Sequence, residues 1–224
     1  MRKFFLPGDC VCENEGYIKG HGTEQIGDKI YSNYFGTVNQ INKLITIAPV
    51  FSVRYTPEVG DVVVGRVIQI YSKKWKVDTN CRSDTTLSLG AINLPGVMQR
   101  RKSEEDEINM SKYFDINDVI VCEVQKVNKN GSAALHTRSD KYGRLSNGVL
   151  INVSPDLLVA TKSRFIAKGG VEITSGCNGH IWISSKNDSS ESFQQIAQIR
   201  SIIECAYDQN EAVDLEAIIN KVVE

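Results

Sequence analysis

Short runs of β-branched and aromatic residues, separated by glycine-rich turns, occupy the first part of the chain. Two of these runs, KIYSNYFGTV and NKLITIAPVF, mix apolar and polar positions and follow closely spaced glycines such as Gly20, Gly22 and Gly27. Alternation with a two-residue period is typical of half-buried strands, and glycines mark tight turns. The pattern predicts a small antiparallel β domain over residues 1–55.

A second series of strand-like runs fills residues 56–140. In chain order the runs read GDVVVGRVIQIY, KWKVDT, TTLSLG, DVIVCEVQKV and SAALHTRS, with a long insertion between the third and the fourth. Five strands with an insertion at this place match an oligonucleotide-binding (OB) barrel. The insertion carries the acids Glu104 to Glu107, and consecutive residues point around a helix, which predicts a solvated helix face.

Residues 141–224 mix strands with helices. The runs GVLINVS, VEIT and HIWIS read as strands, and Pro155 is a suitable first residue for a helix over PDLLVATK. Two amphipathic helices follow, because apolar residues recur there every three or four positions. Their apolar stripes are Phe193, Ile196, Ile199, Ile203 and Ala206, and then Leu215, Ile218, Ile219 and Val222. The fold class is therefore mainly β with an α+β C-terminal domain.

One segment of this last domain, GVEITSGCNGHIWIS, contains a G-x-x-G pattern at Gly176, Cys177, Asn178 and Gly179. In KH domains such a loop clamps the RNA backbone. A clamp of that kind joins two helices, whereas strand-like runs flank the pattern here. Asn-Gly between strands is a strong signal for a two-residue hairpin turn with positive φ at both positions. The pattern therefore favours a structural turn.

The place where a true clamp would lie is a junction between helices near VATKSRFIAKGG. No G-x-x-G occurs there, although Lys162, Arg164 and Lys168 make the segment basic. The C-terminal domain is accordingly interpreted as a scaffold more than as an RNA-gripping element.

Composition and charge narrow the functional classes. The chain has 224 residues, 41% hydrophobic and 24% charged, with a formal net charge of −1. This balance fits two or three globular domains and excludes a strongly basic nucleic-acid binder. The Met1-Arg2-Lys3 start is not followed by a signal-peptide pattern, and no apolar stretch approaches membrane-spanning length, so an intracellular protein without a membrane partner is expected.

Metal, cofactor and catalytic signatures are all missing from the sequence. The six cysteines form no C-x-x-C pair, and the three histidines stand far apart. Zinc sites usually need paired ligands at short spacing. No nucleophile elbow, phosphate-binding loop or His-Glu-x-x-His motif occurs. We expect no metal, no cofactor and no enzymatic activity.

Two basic segments are the candidate RNA contacts. Lys73, Lys74 and Lys76 surround Trp75 on the second barrel strand, and OB folds grip single strands with cations and aromatic rings. Trp75 has two alternatives, a buried one beside Val77 and an exposed one available for stacking. The second segment is Arg100, Arg101 and Lys102, which either bind RNA or neutralise the neighbouring acids.

Two further features bear on structure and docking. His136 reads more readily as a structural histidine than as a ligand, and Arg138 is a candidate anchor for the domain junction through bidentate hydrogen bonds. At the amino end, RKFFLPG and the glycine-rich turns predict an apolar surface suited to docking on a partner.

A family resemblance rests on an ordered set of segments. These are Pro7-Gly8-Asp9, GHGT, VNQINKLI, RYTPEVGDVVVGRV, WKVDTN, NLPG with RRKSEEDE, LHTRSDKYGRLSNGVLINVSP and GCNGHIWI. From Pro7 to Trp182 the chain resembles the eukaryotic RNA exosome cap subunit of the ribosomal-RNA-processing type. The resemblance implies an N-terminal domain over 1–55, an OB-fold RNA-binding domain over 56–140 and a KH-like α/β domain over 141–224. The Phe- and His-bearing strand motif usual in such RNA-binding barrels is missing here.

The resemblance also implies a function. The chain would be a non-catalytic subunit on a ring of phosphorolytic-type subunits, beside other cap subunits, guiding single-stranded RNA to 3′→5′ processing or degradation in the nucleus, nucleolus and cytoplasm. A free-standing RNA-binding adaptor in ribosome assembly or translation is the alternative, and a nuclease is a third. The adaptor alone predicts tight, strongly salt-dependent RNA binding by the isolated chain.

Overall fold

The structure is a computed structural model that describes residues 4–13, 16–49, 54–93, 104–159, 161, 163–186, 189–209 and 211–223. The chain divides into two compact units, residues 1–53 and residues 54–224. The second unit contains both the barrel and the α+β domain.

The first unit consists of two small sheets. The strands are β1 (Phe4–Phe5), β2 (Cys10–Glu13), β3 (Ile18–Lys19), β4 (Thr23–Ile26), β5 (Lys29–Ser32), β6 (Gly36–Ile41) and β7 (Leu44–Pro49). One sheet has the order β1-β6-β7-β3 and the other β2-β5-β4. The prediction of one antiparallel sheet was therefore too simple. Strand β3 pairs with β7 in parallel, and β2, β5 and β4 form a separate sheet.

The second unit begins with the predicted five-stranded barrel. Its strands are β8 (Val62–Tyr71), β9 (Lys74–Asp78), β10 (Thr85–Ile92), β11 (Val119–Val127) and β12 (Ala133–Thr137). The barrel closes because β12 pairs with both β10 and β11, while β11 returns to β8. The insertion before β11 includes α1 (Glu104–Ile108) and α2 (Met110–Tyr113), and a further strand, β13 (Gly143–Leu145), extends the sheet beside β11.

The α+β domain has one four-stranded sheet with the order β14-β17-β16-β15. The strands are β14 (Gly148–Asn152), β15 (Phe165–Lys168), β16 (Val171–Ser175) and β17 (His180–Ser185), followed by α3 (Ser190–Asp208) and α4 (Leu215–Val222). Because side chains alternate across a strand, Ile181 and Ile183 face the helices while Trp182 faces the barrel. The sheet is thus buried on both faces.

Two predictions for this domain were wrong in detail. The helix expected over PDLLVATK is only a 3₁₀ turn, Pro155–Leu157, because the chain then becomes extended and exchanges backbone hydrogen bonds with Val213. The segment read as a helix junction contains β15 instead. Gly169 and Gly170, with φ of +58° and +85°, form the two-residue turn that joins β15 to β16.

Candidate nucleic-acid interface

The Gly176–Gly179 segment is the turn between β16 and β17. The amide of Gly176 donates to the carbonyl of His180 at 2.9 Å, and the amide of Gly179 donates to Gly176 at 3.3 Å. Gly179 has a φ of +84°, whereas Asn178 is not among the residues with positive φ. The turn is therefore a three-residue loop with a left-handed glycine at its end, and the two-residue form expected from Asn-Gly was wrong.

Asn178 explains why the turn takes this form. Its side chain is fully buried and contacts barrel strand β8 and Thr79, the residue after β9, in the same unit. The amide nitrogen Nδ2 donates to the carbonyl of Val64 at 2.7 Å and to that of Thr79 at 3.0 Å, while Oδ1 accepts from the Val64 amide at 3.2 Å. An amide side chain that makes three hydrogen bonds to buried backbone groups is fixed in place.

The residues beside Asn178 extend this attachment. The Cys177 amide donates to the carbonyl of Val62 at 2.8 Å, and Nδ1 of His180 lies 2.9 Å from the carbonyl of Val64. Burial lowers the pKa of His180 below the ordinary histidine value of 6.5, because a charged imidazole is poorly solvated there. The neutral ring therefore donates its Nδ1 hydrogen to Val64.

Both glycines of the turn are required by close contacts. A Cβ on Gly179 would lie 2.1 Å from the carbonyl oxygen of Val153, and one on Gly176 would lie 2.1 Å from Oδ1 of Asn178. Gly176, Asn178 and Gly179 are buried, and Cys177 is partly exposed. Because the amides of Gly176, Cys177 and Gly179 already donate to protein carbonyls, they are not available to a phosphate in this conformation.

An apolar contact between the barrel and the α+β domain supports the same attachment. Val64, Val119, Val121 and Trp182 form a buried cluster there. Arg138, the predicted anchor of this junction, is exposed and makes no ion pair within the described part of the chain, so that prediction was wrong. Buried apolar contacts and the Asn178 hydrogen bonds hold the junction instead.

The predicted basic segment around Trp75 lies on β9 and the turn before it. Trp75 is fully buried, and its indole N–H donates to the carbonyl of Phe114 at 2.9 Å, so the buried alternative holds. Lys73 is ion-paired with Glu107 at 3.1 Å, and Lys76 with Asp84 at 2.7 Å. Lys74 is exposed and has no ion pair within residues 54–93 and 104–159.

The strand register shows which residues accompany these lysines. Lys76 is opposite Thr86 on β10, Thr86 is opposite Ala134 on β12, and Ala134 is opposite Lys126 on β11. All four point outward, so two lysines flank a shallow strip of small side chains across the barrel. Lys126 was missed in the sequence, because strict alternation places it on the side of the buried Cys122 and Val124, and the register shift after Val124 brings it opposite Ala134 instead.

Arg100, Arg101 and Lys102 lie outside the described residues. The acids that follow them are not a uniformly solvated helix face, as was expected. Asp106 is only 4% exposed, and Oδ1 accepts a hydrogen bond from the Tyr113 hydroxyl at 2.7 Å. This carboxylate is therefore part of the packing between α1 and α2.

The first unit carries exposed apolar side chains. The rings of Phe4 and Phe35 stack at 5.8 Å between centroids and are 54% and 40% exposed. Leu6, Ile18 and Ile41 add further exposed apolar surface. Large exposed apolar side chains gathered in one small unit are typical of a docking surface.

Two features are absent from the described residues. These residues contain no group of three or more His, Cys, Asp or Glu side chains arranged to hold a metal ion. No described helix combines the length and the apolar character that crossing a bilayer requires.

A closed OB-type barrel attached to a KH-like domain defines a class of protein built from nucleic-acid-binding modules. Three family models match this chain. They are described as the exosome complex exonuclease RRP4 N-terminal region (residues 4–41), the RRP4 S1 domain (54–126) and a KH domain (148–189).

Individual relatives agree with the family models. The exosome complex component rrp4 of Schizosaccharomyces pombe is 41% identical over 194 residues, which cover 86% of this chain and 59% of the relative. The Rrp4 component of Pyrococcus furiosus is 30% identical, with 85% of this chain and 72% of the relative covered. A crystal structure described as a putative exosome complex RNA-binding protein matches with a TM-score of 0.53 and 21% identity, covering 75% of this chain and 95% of that one.

The chain belongs to the Rrp4 family of exosome complex components. The resemblance inferred from the sequence motifs is thereby confirmed, as is the mainly β fold class. The chain spans about three-fifths of the length of the S. pombe relative that it matches.

Proposed function

We propose that this chain is a non-catalytic, RNA-binding cap subunit of an RNA exosome. In this role it stabilises a ring of phosphorolytic-type subunits and guides RNA toward the channel for 3′→5′ processing and degradation. One observation carries the proposal: a member of the Rrp4 family keeps an outward, cation-flanked strip on its barrel while its G-x-x-G turn is buried against that barrel. The RNA contact therefore belongs to the barrel.

The contact has a modest electrostatic strength. Lys74 and Lys126 are exposed, whereas Lys73 and Lys76 are ion-paired with acids on the same unit. Phosphate groups must compete with those carboxylates, and the chain as a whole has a net charge of −1. Affinity of the isolated chain is consequently low, and the assembled complex supplies the remaining contacts. Arg100, Arg101 and Lys102 are the further candidates for this contact.

The proposal also assigns a role to each domain and a cellular location to the complex. The N-terminal β domain (1–55) docks on ring or cap partners through its exposed apolar surface, the barrel (56–140) contacts RNA, and the KH-like domain (141–224) braces the barrel. A complex of this kind acts in the nucleus, including the nucleolus, and in the cytoplasm.

Two measurements test the proposal. Fluorescence anisotropy with a labelled single-stranded RNA at two salt concentrations is expected to give weak binding by the chain alone and tighter binding by the complex with ring subunits. Pull-down with the ring proteins is expected to recover that complex. Tight binding by the isolated chain and no association with the ring would support the free-standing adaptor instead.

Catalysis is tested separately, since one matching family model carries the word exonuclease in its description. Purified chain incubated with labelled RNA, with and without phosphate and divalent metal, is expected to leave the RNA intact. Degradation that persists through further purification would contradict the non-catalytic assignment.

A further inference from the structure

We propose that single-stranded RNA stacks bases on a row of three aromatic rings, His136, Tyr142 and Phe165, beside the junction of the barrel and the KH-like domain. The inference deepens the proposed function and rests on it. It assigns RNA contact to a place that is neither the G-x-x-G turn nor the lysine-bearing strand β9.

The three rings form a continuous series within the second unit. The centroids of His136 and Tyr142 are 6.4 Å apart, and those of Tyr142 and Phe165 are 6.3 Å apart. His136 lies on β12, Tyr142 precedes β13, and Phe165 begins β15, so the aromatic row passes from the barrel to the KH-like sheet. All three side chains are partly exposed. Rings at this spacing offer neighbouring stacking positions, which every base can use because every base has a π-face.

Contacts on the inner side hold the row in place. Tyr142 and Phe165 pack against the buried cluster that contains Trp182. The Tyr142 hydroxyl donates to Oε2 of Glu123 at 2.7 Å, and Nε2 of His136 lies 3.8 Å from Oε1 of the same carboxylate. Burial, with the Glu123 hydrogen bond next, raises the pKa of Tyr142 to about 12, so the phenol stays a donor at neutral pH. A fixed ring loses little conformational freedom when a base stacks on it.

The charges beside the row suit a phosphate backbone. Lys141 places its ammonium 5.8 Å from the centre of the Phe165 ring, and Arg138 lies exposed between His136 and Lys141 in the chain. Neither cation forms an ion pair within the described residues, in contrast to Lys73 and Lys76. Unpaired cations beside aromatic faces are the two elements from which sequence-tolerant single-strand sites are built.

The row also continues the outward strip of the barrel. His136 and Ala134 are two residues apart on β12 and therefore face the same side. Ala134 is opposite Lys126, so a strand that crosses the barrel over Thr86 reaches Ala134, from which His136 is about 7 Å further along β12. The exposed cations argue against an apolar peptide, and the row of aromatic faces favours RNA over an acidic peptide, because every base offers a ring that can stack.

The test compares two Phe→Leu variants of the full chain in complex with ring subunits. Phe165→Leu removes a ring of the row but keeps an apolar side chain against the Trp182 cluster. Phe193→Leu removes a 51% exposed ring on α3, away from the row, and is the matched control. With a labelled oligouridine probe, anisotropy is expected to show Phe165→Leu binding at least about 5-fold more weakly, the loss of one stacked base. Phe193→Leu is expected to match the wild type.

A third variant separates a binding role from a structural one. Glu123→Gln retains an oxygen that accepts from Tyr142 but removes the negative charge at the row. RNA binding is expected to become about 2-fold to 5-fold tighter, as phosphates no longer meet that charge. A purely structural row would give unchanged or weaker binding.

The outcomes distinguish this inference from the proposed function. If the wild type binds RNA and Phe165→Leu binds equally well, the aromatic row is not an RNA site, while the barrel contact stands. If the wild-type complex binds no RNA, both fail. If an apolar or acidic peptide competes for the row and RNA does not, the row is a protein-docking surface and the inference is overturned.

Discussion

The Gly176–Gly179 turn and the lysine-bearing strand β9 lead to opposite conclusions about RNA. The turn has the G-x-x-G sequence of a phosphate clamp, yet its polar groups form hydrogen bonds with the backbone of Val62, Val64 and Thr79. Strand β9 has no recognised motif, yet it directs Lys74 and Lys76 outward. A buried group already hydrogen-bonded to protein is unavailable to a ligand, whereas Lys74 is exposed with no ion pair among the described residues and Lys76 exchanges its ion pair with Asp84 for a phosphate. The location of each polar group's partner therefore decides which region contacts RNA.

Replacing Gly179 by alanine is expected to have the largest effect, and it tests whether close packing fixes the turn between β16 and β17. Gly179 has a φ of +84°, and the new Cβ would meet the Val153 carbonyl oxygen at 2.1 Å. Strain and collision together are expected to lower the free energy of unfolding by about 3 kcal/mol or more. Denaturant unfolding measures the change. Gly90→Ala is the control, since Gly90 has open space around its Cβ position and no positive φ.

Replacing Asn178 by aspartate tests the attachment itself. The substitution keeps the shape but removes both hydrogens donated to Val64 and Thr79. It also buries a carboxylate, and the expected loss is about 2–4 kcal/mol of unfolding free energy. Exposed Asn152, on strand β14 of the same domain, provides a matched Asn→Asp control that should change stability little. An equal effect of the two variants would contradict the attachment.

Lowering the pH should weaken the attachment of the β16–β17 turn to the barrel, but to a smaller extent than the substitutions of Gly179 and Asn178. The pKa of His180 is lower in the folded protein than the ordinary value of 6.5, so folding favours the neutral ring. Its contribution is full above pH 6.5 and is lost as the pH falls through the lower folded pKa. Unfolding measured from pH 7.5 downward should show this decline in the wild type. His180→Gln, which can still donate to Val64 but cannot titrate, should lack that part of the decline.

The smallest expected effect concerns RNA binding by strand β9, the second region of the comparison. Lys74→Gln removes one exposed cation from β9 and should weaken RNA binding uniformly across sequences by about 2-fold to 5-fold. The slope of log affinity against log salt should fall by about 0.7 for a single-stranded probe. Lys186→Gln, at the residue that follows β17 and is ion-paired with Glu172, is the control. Similar losses from both variants would mean that the contact is not localised on the barrel.

The regular strands could be predicted because their signal is local. Alternation along KWKVDT and the strand-like run DVIVCEVQKV placed the barrel strands and the insertion between the third and fourth. The Gly169-Gly170 turn was also readable, since a pair of glycines before VEIT marks a hairpin, but it was taken as part of a helix junction. Phe193 was assigned to the buried stripe of α3 and is 51% exposed, because periodicity alone does not fix the edge of a helix face.

The junction could not be predicted from the sequence. Asn178 and Val64 are separated by 114 positions, and nothing near either residue signals the other. The aromatic row has the same character, because Phe165 joins His136 and Tyr142 only when the KH-like sheet packs on the barrel. Such contacts depend on tertiary packing, which a local pattern does not encode.

One measurement tests the central claim most directly: photo-crosslinking of 4-thiouridine RNA to the assembled complex, read out residue by residue. Crosslinks are expected on the outward barrel strip and along the aromatic row, with none at Gly176–Gly179. Crosslinks concentrated on Cys177 and Asn178 would show that the turn leaves the barrel to grip RNA, and would contradict the account.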